Sequence, residues 1–424
     1  MFDKEKKAVE FFNYDSSWGI EAEKTIKILK TIFEEKAADI QHIGGTAMKK
    51  IKSKPVIDIV VGITDLSLID SFKDILNQNG FVCNHGDEKT YSDRILFFKS
   101  NQNKKTHIIH IVKYCGKLWF DYIIFRDYLN FNENKAREFE SLKLSLNGKY
   151  RYALPSYIKI KSDFINKTVS ANFYTMMLGK NITIELNDKE SENYPKLDDG
   201  IYPINSGNIT DLDIHSYVIG VYDYNMAEMF TGKITAYIRC KNKNKNGNGY
   251  EKCFVISKDN LIFYKPDISE ALKFYFDSNY NDIVADIVCM YEKSCGAVVY
   301  TKDGENIKFL LVKGSASKRV GFPKGHIEKG EIETETAVRE IYEETSLNVV
   351  LYSDFKEEYS YTISGYVKKT VVYFLAEFNN LDKYKIRDNE ILEQWLVPYE
   401  KAYDMLTFVQ DKAVLKKAYE RIKK

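Results

Sequence analysis

Apolar positions along the chain follow two rhythms, and the rhythm changes twice. From 18 to 36, apolar and small residues (Ile20, Thr25, Ile28, Leu29, Ile32, Phe33) recur at helical spacing, and Gly44-Gly45 then breaks the pattern into a turn. Residues 55–62, PVIDIVVG, crowd β-branched side chains around one acid, Asp58. Such a run predicts a buried strand carrying a single functional or capped carboxylate. Residues 120–149 read as helical, with Phe125, Leu129, Phe139, Leu142 and Leu146 set among charged residues, and the block closes near Val169.

Beyond Asn181 the pattern shortens to alternating segments at 181–186, 216–221, 233–239 and 252–257, punctuated by Gly, Asn and Pro. They predict a small, mainly β domain, ended by a helix at 268–280. The stretch 241–249, KNKNKNGNG, cannot build a core and reads as a solvated hairpin tip. From Ser294 strands and helices alternate again: 296–300, 308–313, a Gly/Pro loop, a helix at 333–345, strands through Phe378 and a final amphipathic helix. A length of 424 residues agrees with three domains at about 150 residues each, which we place at 1–172, 173–289 and 290–424.

Composition narrows the function classes. Apolar residues make up 44% and charged residues 29%, which is globular rather than disordered. Sixty-two Lys and Arg against 61 Asp and Glu leave a charge of +1, so bulk electrostatics do not make this a nucleic-acid binder. The apolar stretches at 55–63 and 370–378 end after about nine residues, half of what a membrane span needs. The start, MFDKEKKAVEFF, lacks the apolar core of a secretory signal, and a cytoplasmic protein is expected. Six cysteines form no CxxC pair, which argues against a zinc site or a disulfide framework.

The densest chemistry lies between Gly325 and Leu347, GHIEKGEIETETAVREIYEETSL. On a helix Glu340 and Glu344 lie one turn apart, and Arg339 reaches Glu343 at the same spacing. Converging carboxylates repel unless a divalent cation joins them, and hard oxygen donors suit Mg²⁺ or Mn²⁺ held together with substrate phosphates. The spacing resembles the Nudix hydrolase box, G-x5-E-x7-R-E-U-x-E-E-x-G-U, through Gly325, Glu331, Arg339, Glu340, Ile341, Glu343, Glu344 and Leu347. Ser346 stands where the family has Gly. Residues 294–300 (SCGAVVY), 322–331, 369–378 and the Glu390, Glu393, Trp395 cluster are similar to the asymmetric diadenosine tetraphosphate hydrolase branch, with Val320 in place of its usual aromatic.

That resemblance implies an α/β/α sandwich and water attack on a nucleoside polyphosphate. Gly325, Glu340, Glu343 and Glu344 would form the metal site and Arg339 would orient a carboxylate. A box glutamate or Glu390 would serve as general base. Lys324 and Lys369 are candidate phosphate contacts, and Tyr359, Tyr361 or Phe408 candidate stacking partners for a base.

Residues 42–61, HIGGTAMKKIKSKPVIDIVV, place a tight glycine turn before Asp58, where backbone amides can approach phosphate and the acid a metal. With YDSSW at 14–18, His107 and His110, FRDYL at 125–129, and Tyr157, Lys161 and Phe164, this part resembles the GrpB family of the nucleotidyltransferase superfamily. Gly44, Gly45 and Asp58 are then candidate substrate-binding residues, with Val60 where nucleotidyltransferases carry a second acid. The histidines, three apart, would face opposite sides of a strand, for packing on one reading and for catalysis or phosphate contact on the other. Residues 194–223, with Asn205, Gly207 and the strand from Tyr217, resemble a soluble inorganic pyrophosphatase-like β-barrel. Only Asp211 and Asp213 remain there as plausible ligands, with His215 where an acid is expected, so a degenerate domain is anticipated.

The sequence thus points to a Mg²⁺-dependent hydrolase of dinucleoside polyphosphates, with diadenosine tetraphosphate giving ATP and AMP. The alternatives are a nucleotidyltransferase centred on Asp58 and a polyphosphate-binding regulator without turnover. A capped RNA end is the one nucleic-acid substrate kept open, and the sequence leaves the oligomeric state open.

Overall fold

The computed structural model describes residues 10–83, 94–102, 104–149, 154–187, 205–209, 211–220, 228–241, 250–258, 261–276, 283–328, 330–363, 366–379, 384–386 and 390–424. The expected hairpin tip at 242–249 and the segment 194–204 lie outside them. The chain divides into two compact units, Met1–Leu186 with Gly207–His215, and Asn187–Ser206 with Ser216–Lys424.

In the first unit, helix α1 (Ser17–Phe33) buries Trp18, Ala22, Thr25, Leu29, Ile32 and Phe33 at three- and four-residue steps. It covers one face of a five-stranded sheet built from β1 (Ala37–Ile43), β2 (Ile57–Ile63), β3 (Val82–Cys83), β4 (Arg94–Asn101) and β5 (Lys104–Lys113), with α2 (Lys73–Gln78) between β2 and β3. The strand order is β1-β2-β5-β4-β3. Ile57, Ile59, Val61, Ile109 and Ile111 face the α1 side. Strand alternation then turns Asp58 and His110 to the opposite side, beneath α3 (Lys117–Phe131), α4 (Glu133–Lys149) and α5 (Leu154–Met177).

The single helix expected at 120–149 is two, because Asn132 takes an extended backbone (φ −101°, ψ 96°). Its side chain then accepts from the Lys135 amide at 3.0 Å and starts α4. The block also runs past Val169 to the end of α5. Strands β6 (Asn181–Leu186) and β7 (Asn205–Ile209) follow, with Glu185 opposite Asn208.

The second unit begins with short strands. β8 (Ile214–Val218) runs parallel to β10 (Tyr250–Ser257) through residues 216–218, while β9 (Met229–Lys241) pairs antiparallel with both β10 and β11 (Val284–Cys289). Helix α6 (Lys265–Phe276) buries Ile268 and Leu272 against Ala236, Ile238, Val255 and Ile287.

A mixed sheet follows, with the path β14-β13-β12-β17-β16 and with β15 on β12 and β18 on β13. Its strands are β12 (Tyr291–Asp303), β13 (Asn306–Gly314), β14 (Val320–Gly321), β15 (Lys324–His326), β16 (Val350–Thr362), β17 (Lys368–Glu377) and β18 (Ile391–Pro398). Strands β12 and β17 are parallel. Ala297 and Val299 pack with Ala337 and Ile341 of α7 (Glu333–Thr345), while Val298 and Tyr300 face Val414, Leu415 and Ala418. The last three belong to α9 (Val409–Ile422), which follows α8 (Tyr399–Met405). Two-residue alternation on β12 therefore divides the helices into two layers. Among the described residues no helix is long and apolar enough to cross a membrane.

Candidate active site

Helix α7 starts where the Glu335 carboxylate accepts the Ile332 amide at 3.0 Å. It stops at Ser346, which adopts φ 65°, ψ 13° and returns its amide to Tyr342 O at 2.8 Å. A serine pays about 1 kcal/mol for that left-handed conformation, where glycine pays none. The stop leaves Glu344 in the last turn, packed inward at 8% exposure.

Arg339 organises the acids. Its Nε and Nη2 donate to the two oxygens of Glu331 at 2.6 and 3.0 Å, and Nη1 donates to Glu340 at 2.8 Å and Glu343 at 3.1 Å. Nη2 also reaches the His326 carbonyl at 2.9 Å, tying α7 to β15. The guanidinium holds the Glu331 carboxyl well below the carboxylate range, at about 2.

The other two buried acids move the opposite way. Burial first, and then Glu343, raise Glu340, although Arg339 opposes the rise. Burial pushes Glu344 up to about 8, and Glu340 and Glu390 add to it against the Lys324 ammonium. The Lys324 amide donates to Glu344 Oε2 at 3.0 Å. Glu340 lies directly over Gly325, where an added Cβ would fall 2.0 Å from its carboxyl carbon. Crowded, buried carboxylates are stable together as anions only beside a cation, and this hard oxygen donor set fits a divalent metal.

The remaining expected residues surround these acids or lie elsewhere. Lys369 is largely buried, with its ammonium 3.7 Å from Glu292 and 3.3 Å from His326 Nε2, and burial lowers its pKa. Tyr359 donates to the buried Asp411 at 2.7 Å. Its ring neighbours Tyr361 at 6.1 Å, Tyr361 neighbours Phe408 at 6.2 Å, and Arg319 covers Phe408 at 5.0 Å.

Gly44, Gly45 and Asp58 belong to the first unit, at their own pocket. Gly44 has φ 69°, and a Cβ there would lie 2.2 Å from Asp58 Oδ2. Asp58 meets His110 Nε2 at 3.3 Å, and Tyr122 meets His110 Nδ1 at 3.2 Å. His107 is buried on the other face, edge-on to Phe81. Asp211 is ion-paired with Lys113, and Asp213 joins no acid cluster among the described residues.

Sequence reasoning missed Glu292, His326 and Asp411. Parallel pairing puts Glu292 of β12 opposite Lys369 of β17, and antiparallel pairing puts His326 of β15 opposite Ser294, two residues along β12 from Glu292. Asp411, in the first turn of α9, carried no signal, since the expected final helix had no defined start.

A family model described as GrpB protein matches residues 8–171, and one described as NUDIX domain matches residues 290–419. The glutamate-rich protein GrpB of Alkalihalophilus pseudofirmus is 34% identical over 174 residues, 40% of this chain and 99% of that protein. An asymmetrical bis(5'-nucleosyl)-tetraphosphatase of Caenorhabditis elegans is 33% identical over 110 residues, 25% of this chain and 79% of that protein. The crystal structure of a C. elegans Ap4A hydrolase binary complex is 29% identical, covers 31% of this chain and 98% of its own, and has a TM-score of 0.30. The chain therefore belongs to two families at once, GrpB through residues 8–171 and Nudix through residues 290–419, the second making it a hydrolase of the Nudix kind.

Proposed function

We propose that the C-terminal domain is a Mg²⁺-dependent pyrophosphohydrolase of dinucleoside polyphosphates that cuts diadenosine tetraphosphate into ATP and AMP. The observation that carries this reading is the acid cluster itself: Glu340 lies over Gly325, the buried Glu344 accepts the neighbouring Lys324 amide and feels the Glu340 charge, and Arg339 and Glu331 lock the helix that bears them. Glu340, Glu343 and Glu344, at the Gly325 turn, would hold Mg²⁺, with Mn²⁺ as the alternative. When bound, that ion would neutralise phosphate charge and lower the pKa of a water.

The chain's own groups do the rest. Arg339 holds Glu340 and Glu343 by hydrogen bonds at 2.8 and 3.1 Å. Lys324 and Lys369 supply positive charge for the polyphosphate, and Tyr361, Phe408 and Arg319 offer faces for an adenine. Water oxygen bonds to phosphorus as the bridging P–O bond breaks, and the water's proton passes to Glu390 or a box glutamate. Glu390 is close enough to act on Glu344 electrostatically.

The boundaries at 172 and 289, a cytoplasmic location and a pyrophosphatase-like, non-catalytic middle domain complete the proposal. The ion pair of Asp211 with Lys113 supports the last point, since it engages one of the two carboxylates expected there as ligands. Nucleotidyl transfer at Asp58 is the second reading, favoured by the Asp58–His110 contact.

The test is turnover of diadenosine tetraphosphate, diadenosine triphosphate, ATP, ADP-ribose and pyrophosphate by the full chain with Mg²⁺. ATP and AMP in equal amounts from the tetraphosphate, with slower turnover of the others, is expected. Turnover of none of them would overturn the proposal.

A further inference from the structure

Lys54, Lys143 and Lys161 line one cavity of the first unit, and among the described residues none of them is ion-paired. Lys113, Lys117, Lys135 and Lys180 of the same unit each have a carboxylate within 4 Å. The cavity has a volume of about 440 Å³ and is bounded by the Gly44-Gly45 turn, Asp58 and helices α3 to α5. Its walls carry Lys54, Lys143, Lys161 and Arg94 against Asp58 and Asp121, four basic side chains to two acidic. Both acids are engaged, Asp121 by Lys117 at 2.6 Å and Asp58 by His110 at 3.3 Å.

Lys143 is 5% exposed. Among the described residues its ammonium gives one hydrogen bond, to the Lys52 carbonyl at 2.8 Å, and lies over the Phe139 ring at 5.0 Å. Two of its three donors are left to the cavity. Burial first, and then Lys161, push its pKa down to about 8, and burial followed by Lys161 also lowers Lys54. Like charges desolvated together are mutually unfavourable, and an anion between them removes that cost. A Cβ on Gly45 would lie 3.8 Å from the Lys143 ammonium, so the glycine turn borders the same point. The remaining wall is largely apolar, with Met48, Phe125 and Ile165 among its side chains.

We propose that this cavity binds a phosphate-bearing small molecule, with its phosphates on Lys54, Lys143 and Lys161 and the rest of it against the apolar wall. The volume suits a mononucleotide-sized ligand. This is the pocket of the second reading, nucleotidyl transfer at Asp58, and naming its ligand class deepens that reading; binding without transfer would leave the proposal standing, and it is independent of the hydrolysis proposed for the C-terminal domain.

Calorimetric titration of the full chain with ATP and with pyrophosphate, both in EDTA so that turnover is silent, tests this. One saturable site is expected, weakened tenfold or more in Lys143→Gln and in Lys161→Gln and unchanged in Glu344→Gln. ATP binding more tightly than pyrophosphate would identify a nucleotide, and equal affinities a free anion; each is a phosphate held by this pocket. Should Lys143→Gln fold poorly by its thermal midpoint, the less buried Lys161→Gln decides alone. No saturation by either compound up to about 1 mM, or undiminished affinity in Lys161→Gln, would overturn the proposal.

Discussion

Residue 325 has no room for a side chain, because the Glu340 carboxyl occupies the space a Cβ would need. Gly325→Ala must displace Glu340 by an ångström or more, and a shift of that size at a catalytic group lowers kcat by about 10²-fold. Steady-state kinetics beside a circular dichroism melt will separate this from unfolding. Glu331 makes a different contribution. Its pKa of about 2 lies below the ordinary 4.5, so its stabilisation is fully present above pH 4.5 and is lost as pH falls through about 2. Denaturant titrations of Glu331→Gln should show a deficit of about 2 kcal/mol at pH 7 that closes across that acid window. The sequence made the acids legible because their spacing is local to one helix. Glu331 was visible as a motif position but not as the partner that fixes Arg339, since that contact depends on how the loop before α7 folds back.

At the scale of elements, α7 supplies the acids, and the start of α9 supplies Phe408 and Asp411, which meet Tyr361 and Tyr359 of β16. The ring series Tyr359, Tyr361, Phe408 crosses from β16 to the start of α9, and Arg319 closes it from the loop before β14. If an adenine stacks there, Phe408→Ala should raise KM for a dinucleotide about tenfold with little change in kcat. Equal losses in both parameters would instead place Phe408 in positioning the acids. The helical period at 333–345 was readable directly, whereas the break at Asn132 was not, because apolar spacing continues through it and a side-chain cap restarts the helix. Glu292, His326 and Lys369 stand far apart in sequence and meet only through the parallel pairing of β12 with β17 and the antiparallel pairing of β15 with β12. No periodicity could have grouped them.

At the scale of the whole molecule, the two family matches flank a middle stretch that neither covers. The flanking parts were legible because their chemistry sits in contiguous runs, 42–61 and 325–347. The middle was legible as short strands, but the pairing of Asp211 with Lys113 was not, since the two stand 98 residues apart. The lysine-lined cavity was invisible in sequence because residues 54, 143 and 161 come from a loop and two helices. A lysine-lined cavity and a separate acid cluster on one chain make a direct comparison decisive for the central claim that hydrolysis belongs to the C-terminal acids. The measurement is kcat/KM for diadenosine tetraphosphate with Mg²⁺ in Glu344→Gln and in Asp58→Asn, each in the full chain. The account predicts a loss of at least about 10³-fold for Glu344→Gln and wild-type activity for Asp58→Asn. Retained hydrolysis in Glu344→Gln, with loss in Asp58→Asn, would contradict it.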